Sequence, residues 1–365
     1  MEKDKYGILT FHRALNYGAV FQTYALQKAI QKLGEKADII DYRAAFNEER
    51  FRQKKFTEIC NIKELYNILF HNGYIKCNRA VFEKFCSMMS YSDICSTTAE
   101  LAHICGKYKR IISGSDQVWN LVCTEEDSSY FLPFLDDPYA KTSYAASFGG
   151  DTIPKEFLSY YKQWLGSFSL ISVREKSGVK LVKDLTQKKA YYVVDPVFLL
   201  SKEEWITIAD FKRVPSAPYV LLYLMMEDHK LIEFAKKFAK ENKLDVLYMS
   251  DRLFKLRGAK NLREVTPEQW LGLFNGASYV FTNSFHGTAF SIIFKKQFFL
   301  NYISKSPVNH RIENIINEYG FQNRLISEWN GKPCDFNAVK KNIDDNIQYS
   351  YMYLKDHILG ENNEA

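Results

Sequence analysis

Ala277-Ser278-Tyr279-Val280-Phe281-Thr282-Asn283-Ser284-Phe285-His286-Gly287-Thr288-Ala289-Phe290 reads as the end of one element and the start of another. The β-branched and aromatic residues up to Phe281 make an extended, buried run. Asn283 and Ser284 are both residues that cap helices, so a helix is expected from about Phe285. A strand that runs straight into a helix is the building block of a doubly wound α/β sheet, where ligands bind beyond the carboxyl ends of the strands. His286 then falls in the helix's first turn, beside backbone amides and the positive end of the dipole. Phosphate would bind there, and an imidazole there can exchange protons with it. The plainer reading, a histidine that only packs, stands beside it.

Working outward, the same alternation of short strands and helical periods covers most of the chain, which argues for parallel sheets with helices packed on them. In the first half the strand candidates are 6–11, 37–42, 110–113, 142–147, 169–173 and 191–194. Leu26, Ala29, Ile30 and Leu33 mark one helical face, which Gly34 stops. Val214-Pro215-Ser216-Ala217-Pro218 looks like a stiff linker, after which strands are expected at 219–224, 245–249, 278–282 and 297–302. The fold class is therefore α/β, with two Rossmann-like doubly wound domains facing a cleft. The first is expected over 1–214, interrupted near 44–105 by a helical, basic and aromatic insert; the second over 215–325; and a helical tail packs back over 326–365.

Composition narrows the function classes. Forty-nine Lys and Arg against 43 Asp and Glu leave a net charge of +6, which argues against disorder and against a nucleic-acid partner. The longest apolar run, Tyr219 to Met226, is far short of the roughly 18 residues of a membrane span. The chain runs from Met1-Glu2-Lys3-Asp4-Lys5 into a strand without an apolar signal segment, so a cytoplasmic location is expected. Seven cysteines without a C-x-x-C pair support neither a disulfide framework nor a zinc knuckle. No His, Asp and Glu cluster looks like a metal cage, and no metal is expected. Aromatic residues make up 15% of the chain, and thick cores explain them more simply than sugar-stacking platforms do.

Other strand ends carry polar residues that suit a site. Asn16, Tyr17 and Gly18 close the loop after the first strand, where a glycine at a helix start lets amides approach an anion or a sugar hydroxyl; a turn and cap is the alternative. Gly114-Ser115-Asp116-Gln117-Val118-Trp119-Asn120 offers a carboxylate, an amide and an indole within one turn, as a polyol would require, although Ser115 or Asp116 could simply cap a helix. Arg174, at the end of the 169–173 strand, has the planar fork that grips a carboxylate or phosphate, or it pairs with Glu175. His310-Arg311 adds positive charge near a later helix.

Taken in order, Asn16-Tyr17-Gly18-Ala19 with Ala25-Leu26, Gly114 to Asn120, Tyr144-Ala145-Ala146-Ser147-Phe148-Gly149, Ser172-Val173-Arg174-Glu175, Val194-Asp195-Pro196-Val197-Phe198-Leu199-Leu200 and Thr282 to Gly287 resemble the polysaccharide pyruvyl transferases over roughly residues 5–325. The resemblance implies a two-domain, glycosyltransferase-like (GT-B) fold. It also implies transfer of a pyruvyl group from phosphoenolpyruvate to two hydroxyls of one sugar, forming a cyclic ketal and releasing phosphate. The acceptor would be a polysaccharide, such as capsule or exopolysaccharide, or its lipid-linked precursor, and phosphoenolpyruvate is a donor substrate with no separate cofactor. On matching positions His286 is the family's catalytic histidine and Arg174 a donor-binding arginine. Asp116 is assigned to orienting or deprotonating an acceptor hydroxyl. Asn16, Tyr17, Gly18, Ser115, Gln117, Trp119, Asn283, Ser284, Gly287 and Arg311 are assigned to substrate binding.

One position departs from the family. Where better-studied members carry an arginine two residues before the histidine, this chain has Ser284. A triply charged donor needs a replacement cation, and Arg311, Lys305, His12 and Arg13 are the candidates, Arg311 foremost. The rival readings are a nucleotide-sugar glycosyltransferase on the same fold and a carbohydrate-binding protein without catalysis. Arg50 to Lys84 holds eight Lys and Arg against three Glu, so most of the excess charge lies there. A weak peripheral contact with the inner face of an anionic membrane is expected from it, with a solvated helical face as the alternative.

Overall fold

The computed structural model describes residues 4–50, 79–250, 255–303 and 309–360. They form two compact units. The first draws its described residues from 4–50, 86–200 and 343–360, the second from 79–85, 201–250, 255–303 and 309–342.

In the first unit β1 (Lys5–Leu9), β2 (Lys36–Tyr42), β3 (Tyr91–Cys95), β4 (Arg110–Ser113) and β5 (Lys141–Ser143) form a parallel sheet in the order β3-β2-β1-β4-β5. Ile8 and Leu9 of the central strand are fully buried, which is why the strand reads as an apolar run and not as an alternation. The helix Tyr17–Lys32 crosses from β1 to β2; Asn16 caps it by accepting from the Ala19 amide at 3.2 Å. It ends at Gly34, whose φ of +89° suits a residue without a side chain. The short parallel pair β6 (Ser172–Val173) and β7 (Tyr191–Tyr192) continues beyond β5 through the bridges Thr142–Leu170 and Ala146–Val173. Residues 343–360 complete this unit: Tyr6 donates to the Leu359 carbonyl at 2.9 Å and Arg110 to that of His357 at 3.1 Å.

The second unit repeats the winding. β8 (Tyr219–Tyr223), β9 (Asp245–Met249), β10 (Lys260–Leu262), β11 (Tyr279–Thr282) and β12 (Gln297–Leu300) are parallel, in the order β10-β9-β8-β11-β12. The helix His229–Glu241 buries Leu231, Ile232, Ala235 and Phe238 on one face and is capped by Asp228. Each unit is thus a Rossmann-like α/β domain, and the aromatic residues thicken the cores: Phe238, Phe281, Phe299 and Trp329 pack together in the second.

Three features differ from the sequence reading. The division falls at Leu200/Ser201, upstream of the 214–218 stretch. The residues between belong to the second unit: Trp205 packs edge-on to Phe290, the Asp210 amide donates to the Glu268 carbonyl at 2.8 Å, and Arg213 donates to that of Arg263 at 2.7 Å. The edge strands β3 and β10 were not expected; β3 exposes much of its surface and lacks an apolar run. Of the basic stretch Arg50 to Lys84, residues 51–78 lie outside the described residues. Among the described residues no helix is long and apolar enough to cross a membrane.

Candidate active site

In the second unit the junction between β11 and the helix Phe285–Ile293 is set by short polar side chains. The Ser284 amide donates to the Thr282 hydroxyl at 3.1 Å, and the Ser284 hydroxyl accepts from the Gly287 amide at 3.3 Å, so Ser284 is the N-cap. Asn283, fully buried, accepts from the Met225 amide and donates to the Met226 carbonyl, both at 2.8 Å. This amide ties the end of β11 to the chain leaving β8, its neighbour in the sheet. A side chain at Gly287 would collide with Thr282, so only glycine lets the helix begin this close to the strand.

His286 lies in the first turn, 7% exposed, with its ring edge-to-face on Phe285 at 5.1 Å. The other face of the cluster is Arg311 from the helix Asn309–Tyr319. It is buried, and its guanidinium lies 5.8 Å from the Phe285 ring centroid. Ser284, His286, Gly287 and Arg311 therefore gather around Phe285, as an imidazole, a helix N-terminus and a cation in one place. Lys305 lies outside the described residues. Nearby, Asn301 donates to Asp228 at 2.6 Å and Asn309 ties to Ile303, contacts for which the sequence held no signal beyond capping residues.

Of the two readings of Arg174, the first unit shows the ion-paired one, in a buried setting. Its side chain is 2% exposed and meets Asp195 at 2.6 Å, Asp116 at 3.4 Å and Glu175 at 3.8 Å. Burial alone would lower its pKa, but the carboxylates of Asp195, Asp116 and Glu175 hold it above the ordinary value. This guanidinium is matched to three carboxylates, the pairing alternative of the sequence reading extended from Glu175 to Asp116 and Asp195, and it links loops. Asp195 is the hub, since it also accepts from the Ser115 hydroxyl at 3.2 Å and the Val197 amide at 3.1 Å. Ser115 is fully buried, and its carbonyl accepts from the Thr10 hydroxyl at 2.8 Å. The carboxyl ends of β1, β4 and β6 are so drawn into one polar network. Asp116, partly exposed, has a φ of +75°, an unusual backbone for a side-chain-bearing residue, and is the carboxylate of this network that reaches the surface.

The remaining expected residues of the first unit make contacts within the protein. Trp119 is fully buried, donates to the Tyr130 carbonyl at 3.2 Å and stacks on Phe131 at 5.6 Å, so it is core and not a sugar platform. Gln117 accepts from Asn120 at 3.0 Å. Asn16 is a helix cap, Tyr17 is buried against Phe21, and Gly18 is buried in the helix. His12 meets Asp41 at 3.1 Å and Arg13 meets Glu48 at 2.6 Å, so both of these candidate cations are already matched to carboxylates. Among the described residues no group of three or more His, Cys, Asp and Glu side chains is arranged to hold a metal ion.

No curated protein matches the sequence. Among solved structures, the chain is similar to a UDP-GlcNAc 2-epimerase from Neisseria meningitidis bound to UDP-GlcNAc, with 10% identity, a TM-score of 0.47 and 96% of each chain covered. It is also similar to the UDP-GlcNAc 2-epimerase from Methanocaldococcus jannaschii, with 13% identity, a TM-score of 0.45, and 94% of this chain and 99% of that one covered. The family model for polysaccharide pyruvyl transferase matches residues 16–302, a span that includes Ser115, Asp116, Arg174, Asp195 and His286, and the chain belongs to that family.

Proposed function

We propose that this family member transfers the pyruvyl group of phosphoenolpyruvate to two hydroxyls of one sugar, closing a cyclic ketal on a polysaccharide or its lipid-linked precursor and releasing phosphate. The observation that carries the reading is the second unit's cluster: His286 in the first turn of a capped helix, with Arg311 against the same Phe285 ring. A helix N-terminus and a guanidinium suit the donor's phosphate and carboxylate.

The reaction needs no net proton. One sugar hydroxyl adds to C2 of the donor while its methylene carbon gains a proton. The C–O bond to phosphate then breaks, and the second hydroxyl adds to C2, its proton leaving with phosphate. Proton movement between hydroxyl, methylene and phosphate is the task of a residue such as His286. The backbone amides and Arg311 would stabilise charge on the departing phosphate. In the first unit Asp116 is the carboxylate suited to orienting a sugar hydroxyl. The reaction is cytoplasmic in this reading, on sugars carried by nucleotides or by lipids at the membrane's inner face.

Incubation with phosphoenolpyruvate and a panel of nucleotide- and lipid-linked sugars tests this. Free phosphate and an acceptor heavier by one pyruvate less water are expected. Ser284, standing where relatives carry arginine, favours one second reading, a nucleotide-sugar glycosyltransferase. Release of a nucleotide without consumption of phosphoenolpyruvate would put that reading first, and glycan binding with neither reaction would leave a non-catalytic carbohydrate-binding protein.

A further inference from the structure

The first unit contains a cavity of about 300 Å³ that none of the candidate site residues lines. Lys189, Tyr191, Tyr192, Asn346 and Tyr349 surround it, and Ser350 lies at its floor. Asn346, Tyr349 and Ser350 come from the helix Phe336–Met352, beyond the span the family model matches.

Its chemistry is specific. Tyr191 is braced by Tyr353 at 4.8 Å and holds the Lys189 ammonium 4.5 Å over its ring, which fixes a positive charge at the cavity. A second ammonium, that of Lys176, lies 5.6 Å from the Tyr192 ring. No carboxylate is among the residues that line the cavity. Tyr349 is 48% exposed and offers a broad amphipathic ring, and Asn346 brings both a donor and an acceptor. A wholly apolar ligand would strip water from Lys189 and Asn346 without replacing it. A bare phosphate would leave the Tyr349 ring unused. A pyranose carrying a carboxylate uses all three features, and the volume is at the lower end of the range for small-molecule sites.

We propose that this cavity binds an acidic sugar unit of a glycan, its ring on Tyr349, its hydroxyls at Asn346 and its carboxylate at Lys189. The floor is coupled to the network of the first unit: Ser350 accepts from the Val194 amide at 2.9 Å, and the next residue is Asp195, which holds Arg174 and Ser115. The proposal rests on the reading above for the reason a glycan would be present. It gives the protein a hold on an acidic repeat of its acceptor or on a pyruvylated product.

The test is binding to the full chain without phosphoenolpyruvate, by calorimetry and saturation-transfer NMR. The probes are a tetrasaccharide alternating glucuronate and N-acetylglucosamine, and neutral chitotetraose. The parent should bind the acidic probe in the millimolar range or tighter and prefer it to the neutral one. Lys189→Ala should weaken the acidic probe at least about threefold and abolish the preference, while Tyr349→Ala should weaken both and Tyr349→Phe neither. Both positions are exposed, so folded variants are expected. Failure of the parent to bind the acidic probe, or binding untouched by Lys189→Ala and Tyr349→Ala, overturns the proposal. Glycan binding without phosphate release from phosphoenolpyruvate would keep this site and overturn the pyruvyl-transfer reading; phosphate release without glycan binding here would do the reverse.

Discussion

His286 sits in the first turn of its helix, at a strand-to-helix junction and edge-on to Phe285, and not in the middle of the sheet's core. His286→Ala should therefore leave the fold intact and lower phosphoenolpyruvate turnover about 100- to 10,000-fold, the usual weight of one proton-transfer group. Near-parent turnover in the folded variant would make His286 a packing residue. Arg311 makes the complementary prediction. As a buried cation against the same Phe285 ring as His286, it should hold the donor in the proposed reaction, so Arg311→Ala should raise the Michaelis constant for phosphoenolpyruvate with a smaller effect on kcat. Ser284→Arg in that background should recover part of the loss. Its stability needs measuring alongside, since losing the serine cap costs roughly 0.5–2 kcal/mol. An unchanged donor constant in Arg311→Ala would place the compensating cation elsewhere.

At the scale of elements, the first unit's loops are held by charge where the second unit's are held by amides. Arg174 joins the ends of β4 and β6 through Asp116 and Asp195, and removing it would leave buried carboxylates without their cation. Arg174→Met should destabilise the first unit by about 3–5 kcal/mol, read by denaturant unfolding. Arg174→Lys should also lose stability, because an ammonium cannot replace the planar fork, while the donor's Michaelis constant stays near the parent's. A raised donor constant at unchanged stability would restore Arg174 to donor binding. In the second unit Asn283 does the equivalent work with one neutral side chain, bonding Met225 and Met226 without any buried charge.

For the whole molecule, the stability plateau is bounded on both sides by groups of known direction. Burial alone would raise Asp41, but hydrogen bonds from His12 and Arg43 and their charge outweigh it and hold it at about 2. Its folded pKa is below the unfolded value of about 3.9, so its contribution, about 2 kcal/mol, is present above pH 4 and is lost as pH falls towards 2. Burial pushes Tyr42, Tyr161 and Tyr302 up to about 12. Their folded pKa values lie above the unfolded ones, so what they contribute is present below pH 10 and lost as pH rises towards 12. Denaturation midpoints measured across pH should fall at both ends, and Asp41→Asn should flatten the acid limb. An acid limb unchanged in that variant would sink the assignment.

Apolar runs, caps and glycines are local, and they sufficed to mark most strands, the helix after β1 and the capped junction at Ser284, because buried parallel strands and capped helices are each written within a few consecutive residues. Short edge strands such as β3 and β10 were not legible, since their pairing comes from a neighbour far along the chain and not from their own composition. The pairing of Arg174 with its neighbour Glu175 was open to the sequence, but Asp116 and Asp195 were hidden: strand order brings them to the same guanidinium, and that long-range closure makes it a buried tie between loops. Trp119 went the same way, because whether an indole faces a sugar or a core depends on what the sheet packs against it. Placing Arg311 beside Phe285, and joining residues 343–360 to the first unit, likewise required the chain to return from a distance, which nearest-neighbour patterns do not encode.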